Sequence, residues 1–108
     1  RSIVKKYEEN IINEKITLPK TPKGCLPTHH IYPIRTINRK GLAQYLYSNQ
    51  IEYGIHYPLC IEEMGMYKHL YKPNNTSIKY SKEMISIPIH PFMKEQEVNY
   101  VIECLNKY

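Results

Sequence analysis

His56 and Tyr57 are adjacent in this chain of 108 residues, and their types suit the binding and orienting of a polar substrate. An imidazole can donate at one nitrogen and accept at the other, while a phenol offers a hydroxyl and a ring face. Both lie in residues 51–57, where Ile51, Tyr53, Ile55 and Tyr57 alternate with Glu52, Gly54 and His56. Alternation of this kind predicts a strand, with His56 on the less apolar face and Tyr57 on the other. His56 is then the better candidate to point into a cleft. The bland reading of each is a solvated or satisfied histidine and a core tyrosine.

Other constellations are weaker. His29, His30, His56 and Cys60 are zinc-ligand types, but their spacing fits no ligand pattern. A thiol catalyst built from Cys60 and His56 has no better support. Arg35 could hold a phosphate or carboxylate, though a surface arginine beside a helix start explains it more simply. Ser2-x-x-Lys5 superficially matches a nucleophile motif and is better explained by a solvated helix face. Cys25, Cys60 and Cys104 are odd in number and widely spaced, so no disulfide framework is indicated. The sequence contains no Asp, so chemistry that needs one must take it from elsewhere.

The elements that must position these residues read as follows. Ile3, Val4, Tyr7, Ile11 and Ile12 mark one face of a helix over residues 1–14. Pro19, Pro22, Gly24 and Pro27 make residues 17–28 a loop. Residues 30–35 read as a strand whose Pro33 favours an edge or a bulge. Asn38 is the expected N-cap of a helix through Ser48. Residues 64–71 form a short helix or loop, and residues 73–77 a turn. A helix over 78–85 runs into an extended piece at 86–89. Val98, Val101, Ile102 and Leu105 define a strong closing helix. The alternation of helices with three short strands predicts an α+β (α/β two-layer) domain, with a small three-stranded sheet covered by helices on one face. The opposite face is left for another domain to cover.

No apolar run approaches the roughly 20 residues that span a bilayer, and no signal segment opens the chain, so a cytoplasmic protein is expected. The chain starts at Arg1 with its first helical pattern already running, which reads as a cut or processed site within a longer chain. The net charge of +5 and the eleven tyrosines suit a stand-alone module that binds nucleotide or nucleic acid. Against it, the tyrosines fall mostly at core-facing spacings and no block of like charge occurs.

Several segments, in order, resemble the C-terminal part of the DegT-type nucleotide-sugar aminotransferases. They are His30-Ile31-Tyr32-Pro33-Ile34-Arg35, Asn38-Arg39-Lys40-Gly41-Leu42, Gly54-Ile55-His56-Tyr57-Pro58, residues 81–91 with Ser86-Ile87-Pro88, and the closing helix. Together they span about residues 29–106. Two positions depart from the family pattern: Glu62 stands where a His is common, and Cys60 where a second Pro is common. The resemblance implies that residues 1–108 are one C-terminal small domain of a fold-type I aminotransferase dependent on pyridoxal phosphate. It also implies a full-length homodimer that moves an amino group, from glutamate, to a nucleotide-linked keto sugar. The large cofactor-binding domain, with its Schiff-base lysine, is expected upstream and outside this chain. His56 and Tyr57 become the implied substrate contacts, and no catalytic, cofactor-binding or metal residue is expected within these residues. The isolated chain is expected to be inactive.

Overall fold

Apolar residues at steps of three and four place the two helices that carry most of the core. The computed structural model describes residues 1–72 and 74–108. In it α1 spans Ser2–Asn10 and α4 spans Glu95–Lys107. Val4 and Tyr7 of α1 are buried, as are Val98, Val101, Ile102, Cys104 and Leu105 of α4. The cap of α4 is built by Glu97, whose carboxylate accepts from the Lys94 backbone N–H at 2.6 Å. That glutamate also places negative charge on the positive end of the helix dipole.

The first helix is shorter than its apolar pattern predicts. It ends at Asn10, and Ile11 is extended. The chain leaves the helix to join the end of α4: the Ile12 N–H donates to the Asn106 side chain at 2.9 Å, and that side chain donates to Asn10 O at 2.8 Å. Asn13 completes the seam by donating to Leu105 O at 2.7 Å. The side chains of Asn106 and Asn13 thus satisfy backbone groups left over at and just beyond the ends of the two helices.

Strand β1 covers Tyr32–Arg35 and pairs antiparallel with β2, Met84–Ile87. Between them lie α2 (Arg39–Ser48), a 3-10 turn (Ile61–Glu63) and α3 (Asn75–Glu83). Asn38 caps α2 by accepting from Gly41 N–H at 3.1 Å. Asn74 caps α3 by accepting from Thr76 N–H at 2.8 Å. The turn expected at 73–77 is therefore already helix from Asn75, while Pro73 lies outside the described residues. Tyr32 pairs with Ile87 and Ile34 with Ile85. These four side chains meet Leu42, Leu46 and the buried faces of α1 and α4 in one core.

The α+β two-layer architecture is as expected, but the third strand is not formed. Residues 51–57 contribute a single antiparallel bridge, Gly54 with Ser86. Gln50 takes the left-handed conformation at φ 57°, and the Ile51 N–H still donates to Leu46 O at the end of α2. Few residues are then free to pair before Pro58, and no further strand flanks them among the described residues. Tyr53 and Tyr57 are accordingly exposed where the alternation put them in the core. The second face of the sheet is also less bare than expected. Tyr80 and Glu83 of α3 engage Arg35, and His56 covers Ser86.

Candidate functional site

The bridge that replaces the third strand is what positions His56. Gly54 N–H donates to Ser86 O at 3.0 Å, and Ser86 N–H donates to Gly54 O at 2.7 Å. This pair of bonds sets the strap, residues 50–56, beside β2 and brings the His56 Nδ1 to 3.0 Å from the Ser86 hydroxyl. Ser86 is 5% exposed, so its hydroxyl needs a partner inside the protein, and the imidazole is that partner. Depending on the tautomer, Nδ1 donates or accepts here, and Nε2 is left with the opposite role.

Gly54 makes room for this arrangement. A Cβ on residue 54 would lie 2.3 Å from His56 Cε1 and 3.0 Å from Nδ1. The glycine is needed because the imidazole folds back over its own strap. Tyr57 follows with its ring edge-on to His56, the centroids 6.0 Å apart and the planes at 86°.

The expectation that the two side chains face opposite ways fails. With no strand continuing past Gly54, both line one concavity of about 730 Å³, together with Tyr67, Tyr71 and Tyr80. His56 also borders a second concavity of about 700 Å³ on the other side of the strap, with His30, Tyr53, Ser86 and Tyr100. Seven of the eleven tyrosines are exposed, against the core-facing expectation: Tyr47, Tyr53, Tyr57, Tyr67, Tyr71, Tyr80 and Tyr100. Most of them lie on the strap and on residues 57–72, segments that no described helix covers.

Among the described residues, the cavity with four tyrosines is lined by Glu62 and by no Lys or Arg. That is the wrong charge for a nucleic-acid backbone, which needs a basic groove alongside the stacking rings.

The remaining candidates have other occupations. Arg35 donates to Glu83 Oε2 at 3.2 Å and stacks over Tyr80 with its guanidinium carbon 4.0 Å from the ring centroid. It is committed to holding α3 on the sheet. Among the described residues no group of three or more His, Cys or Glu is gathered for a metal, and His29 instead lies against Tyr32. The Cys60 thiol donates to Glu63 Oε2 at 3.1 Å. Partial burial and then the Glu63 carboxylate push that thiol up from its ordinary range, which holds it protonated and poorly nucleophilic. The same glutamate accepts from the Cys60 backbone N–H, a bond that a proline at this position could not make. Ser2 and Lys5 are exposed on α1, and Lys5 pairs with Glu9 at 3.7 Å. No helix among the described residues is long and apolar enough to cross a membrane.

Pyridoxal phosphate does not fit the residues present. A Schiff-base lysine works when desolvated beside the cofactor, but no lysine among the described residues is buried. The pyridinium nitrogen of such a cofactor also takes a partner such as an Asp, and the sequence has none. What these residues supply is an imidazole held by Ser86 with an aromatic hydroxyl beside it.

Two features were not foreseen from the sequence: Ser86 as the anchor of His56, and Gly54 as the space for it. The signal for Ser86 was a hydroxyl in an otherwise apolar strand, which must find a partner if buried.

Residues 1–106 match the sequence profile of the DegT/DnrJ/EryC1/StrS aminotransferase family. A curated relative from Aneurinibacillus thermoaerophilus, dTDP-3-amino-3,6-dideoxy-alpha-D-galactopyranose transaminase, is 30% identical over 109 residues, covering 100% of this chain and 30% of the relative. A pleiotropic regulatory protein of Geobacillus stearothermophilus is 28% identical, covering 93% of this chain and 28% of its own length. The fold is also that of S. venezuelae DesV, solved in complex with a ketimine intermediate, at a TM-score of 0.91 and 22% identity. That match covers 98% of this chain and 30% of DesV. The chain thus spans about 30% of the length of the first relatives it matches.

Proposed function

The chain belongs to the DegT/DnrJ/EryC1/StrS aminotransferase family, and from that premise we propose that it is the C-terminal small domain of a nucleotide-sugar aminotransferase. The whole protein would move the amino group of glutamate to a keto carbon of a nucleotide-linked deoxy sugar, giving 2-oxoglutarate and the amino sugar. Pyridoxal phosphate, which carries amino groups in transaminations, would be held by a large domain outside residues 1–108, and the full-length protein would be a homodimer in the cytoplasm. The observation that carries this reading is the family match over residues 1–106. The name of the curated relative from A. thermoaerophilus makes a dTDP-linked keto-6-deoxyhexose the first substrate to try.

The work of these residues is recognition. His56, held through Nδ1 by Ser86, presents Nε2 to a substrate hydroxyl in a fixed direction. Tyr57, 67% exposed, offers its hydroxyl and ring to the same ligand. Holding one substrate in a fixed orientation is itself a contribution to rate. The test is an assay of the intact native polypeptide with glutamate and a dTDP-linked keto sugar. Equal amounts of 2-oxoglutarate and amino sugar are expected. A native polypeptide without a cofactor lysine upstream, or with no glutamate-dependent amination of any nucleotide-linked keto sugar, overturns the proposal.

A further inference from the structure

The two concavities that His56 borders are lined by no Lys or Arg among the described residues. A separate one, of about 630 Å³, shares no lining residue with either and gathers Lys15, Arg35 and Lys79. It lies where the run after α1, the link from β1 to α2, and α3 come together. Its volume is within the roughly 300–1,000 Å³ range typical of small-molecule sites. Thr36, in that link, lines it and is only 5% exposed. The Thr36 N–H is engaged, donating to Glu83 O at 3.2 Å. The one sealed hydroxyl without a partner among the described residues is that of Tyr32. The Thr36 hydroxyl, also without one, opens instead onto the concavity that the residue lines. An unused hydroxyl on a residue so deeply buried calls for a partner in that space.

The charges decide what kind of ligand fits. Glu14 and Glu83 line the space beside the three cations. Glu83 is already engaged: its Oε2 accepts from Arg35 at 3.2 Å, and its Oε1 lies 4.0 Å from Lys79. Glu14 is exposed, where water and salt screen its charge. Lys15 donates to Tyr108 O at 2.9 Å, which uses one of its three donors. Lys79 comes no closer to Glu83 than 4.0 Å, so its donors stay open. The balance favours an anion. A planar carboxylate is matched best by the fork of an arginine, and the Arg35 fork is occupied by Glu83 and stacked on Tyr80. Two point-charge ammonium groups and a hydroxyl suit a tetrahedral phosphate, whose acceptor oxygens point in several directions.

We propose that this concavity, at Thr36 and between Lys15 and Lys79, binds a phosphate group, free or on a small molecule, at a place apart from His56. The assignment goes beyond the sugar-aminotransferase reading and does not depend on it. Ile37, 93% exposed, and Tyr108, whose ring lies 5.5 Å from Lys15 Nζ, line the same space. They offer apolar surface to an organic body carried by the phosphate.

The test follows the backbone amide signals of the 108-residue chain by NMR. The chain is titrated with inorganic phosphate, with phenyl phosphate, and with sodium chloride at matched ionic strength. Both phosphates are expected to move the amides of Thr36, Ile37 and Asn38 saturably and to leave those of Gly54 and His56 in place. Chloride is expected to move none of them. Lys79→Gln should weaken phosphate binding about fivefold, as for loss of one charged donor, and Thr36→Val about 3- to 10-fold, as for loss of one hydrogen bond. Lys79 is exposed on α3, so its replacement keeps the fold and the test stands even where Thr36→Val does not fold. Tighter binding of phenyl phosphate assigns the site to a phosphomonoester, and equal or weaker binding to the free ion; both uphold it. Absence of saturation, an equal response to chloride, movement centred on Gly54 and His56, or unchanged affinity in Lys79→Gln overturns the assignment. Any of these leaves transamination by the intact polypeptide untouched.

Discussion

Replacing Gly54 by alanine asks whether the strap really holds His56. The added Cβ would lie 2.3 Å from Cε1, 3.0 Å from Nδ1 and 3.1 Å from Nε2 of the imidazole. Non-bonded carbons rest about 3.5–4.0 Å apart, so the ring must retreat by more than about 1 Å. The His56–Ser86 contact, now 3.0 Å, then stretches to about 4 Å and ceases to be a hydrogen bond. Left without its partner, the buried Ser86 hydroxyl costs about 1–3 kcal/mol in all where water cannot reach it. Reduced freedom of the unfolded chain returns about 0.4–1 kcal/mol. The expected net loss of stability is about 1–2 kcal/mol, with the fold kept, because the ring can swing outward. Ser86→Ala deletes the same bond without the clash. Gly54→Ala and Ser86→Ala together should therefore cost about 1 kcal/mol less than the sum of the single changes. Urea denaturation of the four proteins supplies the cycle, and nitrogen-detected NMR of the imidazole reports whether Nδ1 keeps its partner. Strict additivity, with the Nδ1 signal unmoved in Gly54→Ala, would refute the anchoring of His56 by Ser86.

Two buried tyrosines should respond oppositely to loss of the hydroxyl. Tyr7 donates to Pro88 O at 2.7 Å, so Tyr7→Phe should cost about 1 kcal/mol. The Tyr32 hydroxyl is buried with no partner among the described residues, so Tyr32→Phe should leave stability unchanged or raise it by up to about 1 kcal/mol; both follow from denaturation midpoints. Burial, with a smaller push from Glu8, raises Tyr32 from 10.0 to about 12. A raised acid contributes stability that is complete below the unfolded value and is lost as pH climbs through the folded one. Unfolding free energy should therefore fall between about pH 10 and 12, by up to about 1.4 kcal/mol per pH unit for this group, and the fall should be shallower in Tyr32→Phe. Arg35→Met removes both the Glu83 pair and the stack on Tyr80 and leaves a half-buried carboxylate behind. A loss of about 1–2 kcal/mol is expected in urea. Asn106→Ala deletes two of the three bonds of the α1–α4 seam and should cost about 1–2 kcal/mol by the same measurement.

The parts of the fold that were legible in the sequence are those whose signal is local. Val98, Val101, Ile102 and Leu105 are buried on α4 at the spacing that marked them. Asn38 caps α2 because an Asn at that point can only pay its way as a turn or a cap. Asn74 carried the same ambiguity and resolved as a cap where a turn was expected. Strand Tyr32–Arg35 was readable from its β-branched and aromatic content. Residues 51–57 were not, because alternation records only that a segment suits a strand. A strand also needs neighbours, and only Gly54 finds one, at Ser86. That is why the orientation of His56 relative to Tyr57 was misjudged. The role of Ser86 depends on a contact between residues thirty apart in sequence, which no periodicity encodes.

The central claim is that His56, anchored on Ser86, recognises the sugar nucleotide in a transaminase. Its most direct test separates the two halves of the reaction in the intact native polypeptide. Release of 2-oxoglutarate from glutamate is followed first without the sugar, and amination of the dTDP-linked keto sugar is followed second. His56→Ala is predicted to leave the glutamate half intact and to lower kcat/KM for the sugar nucleotide about 10- to 100-fold, with Ser86→Ala showing a smaller loss of the same kind. Equal loss in both halves, or no loss in the sugar half, would contradict it.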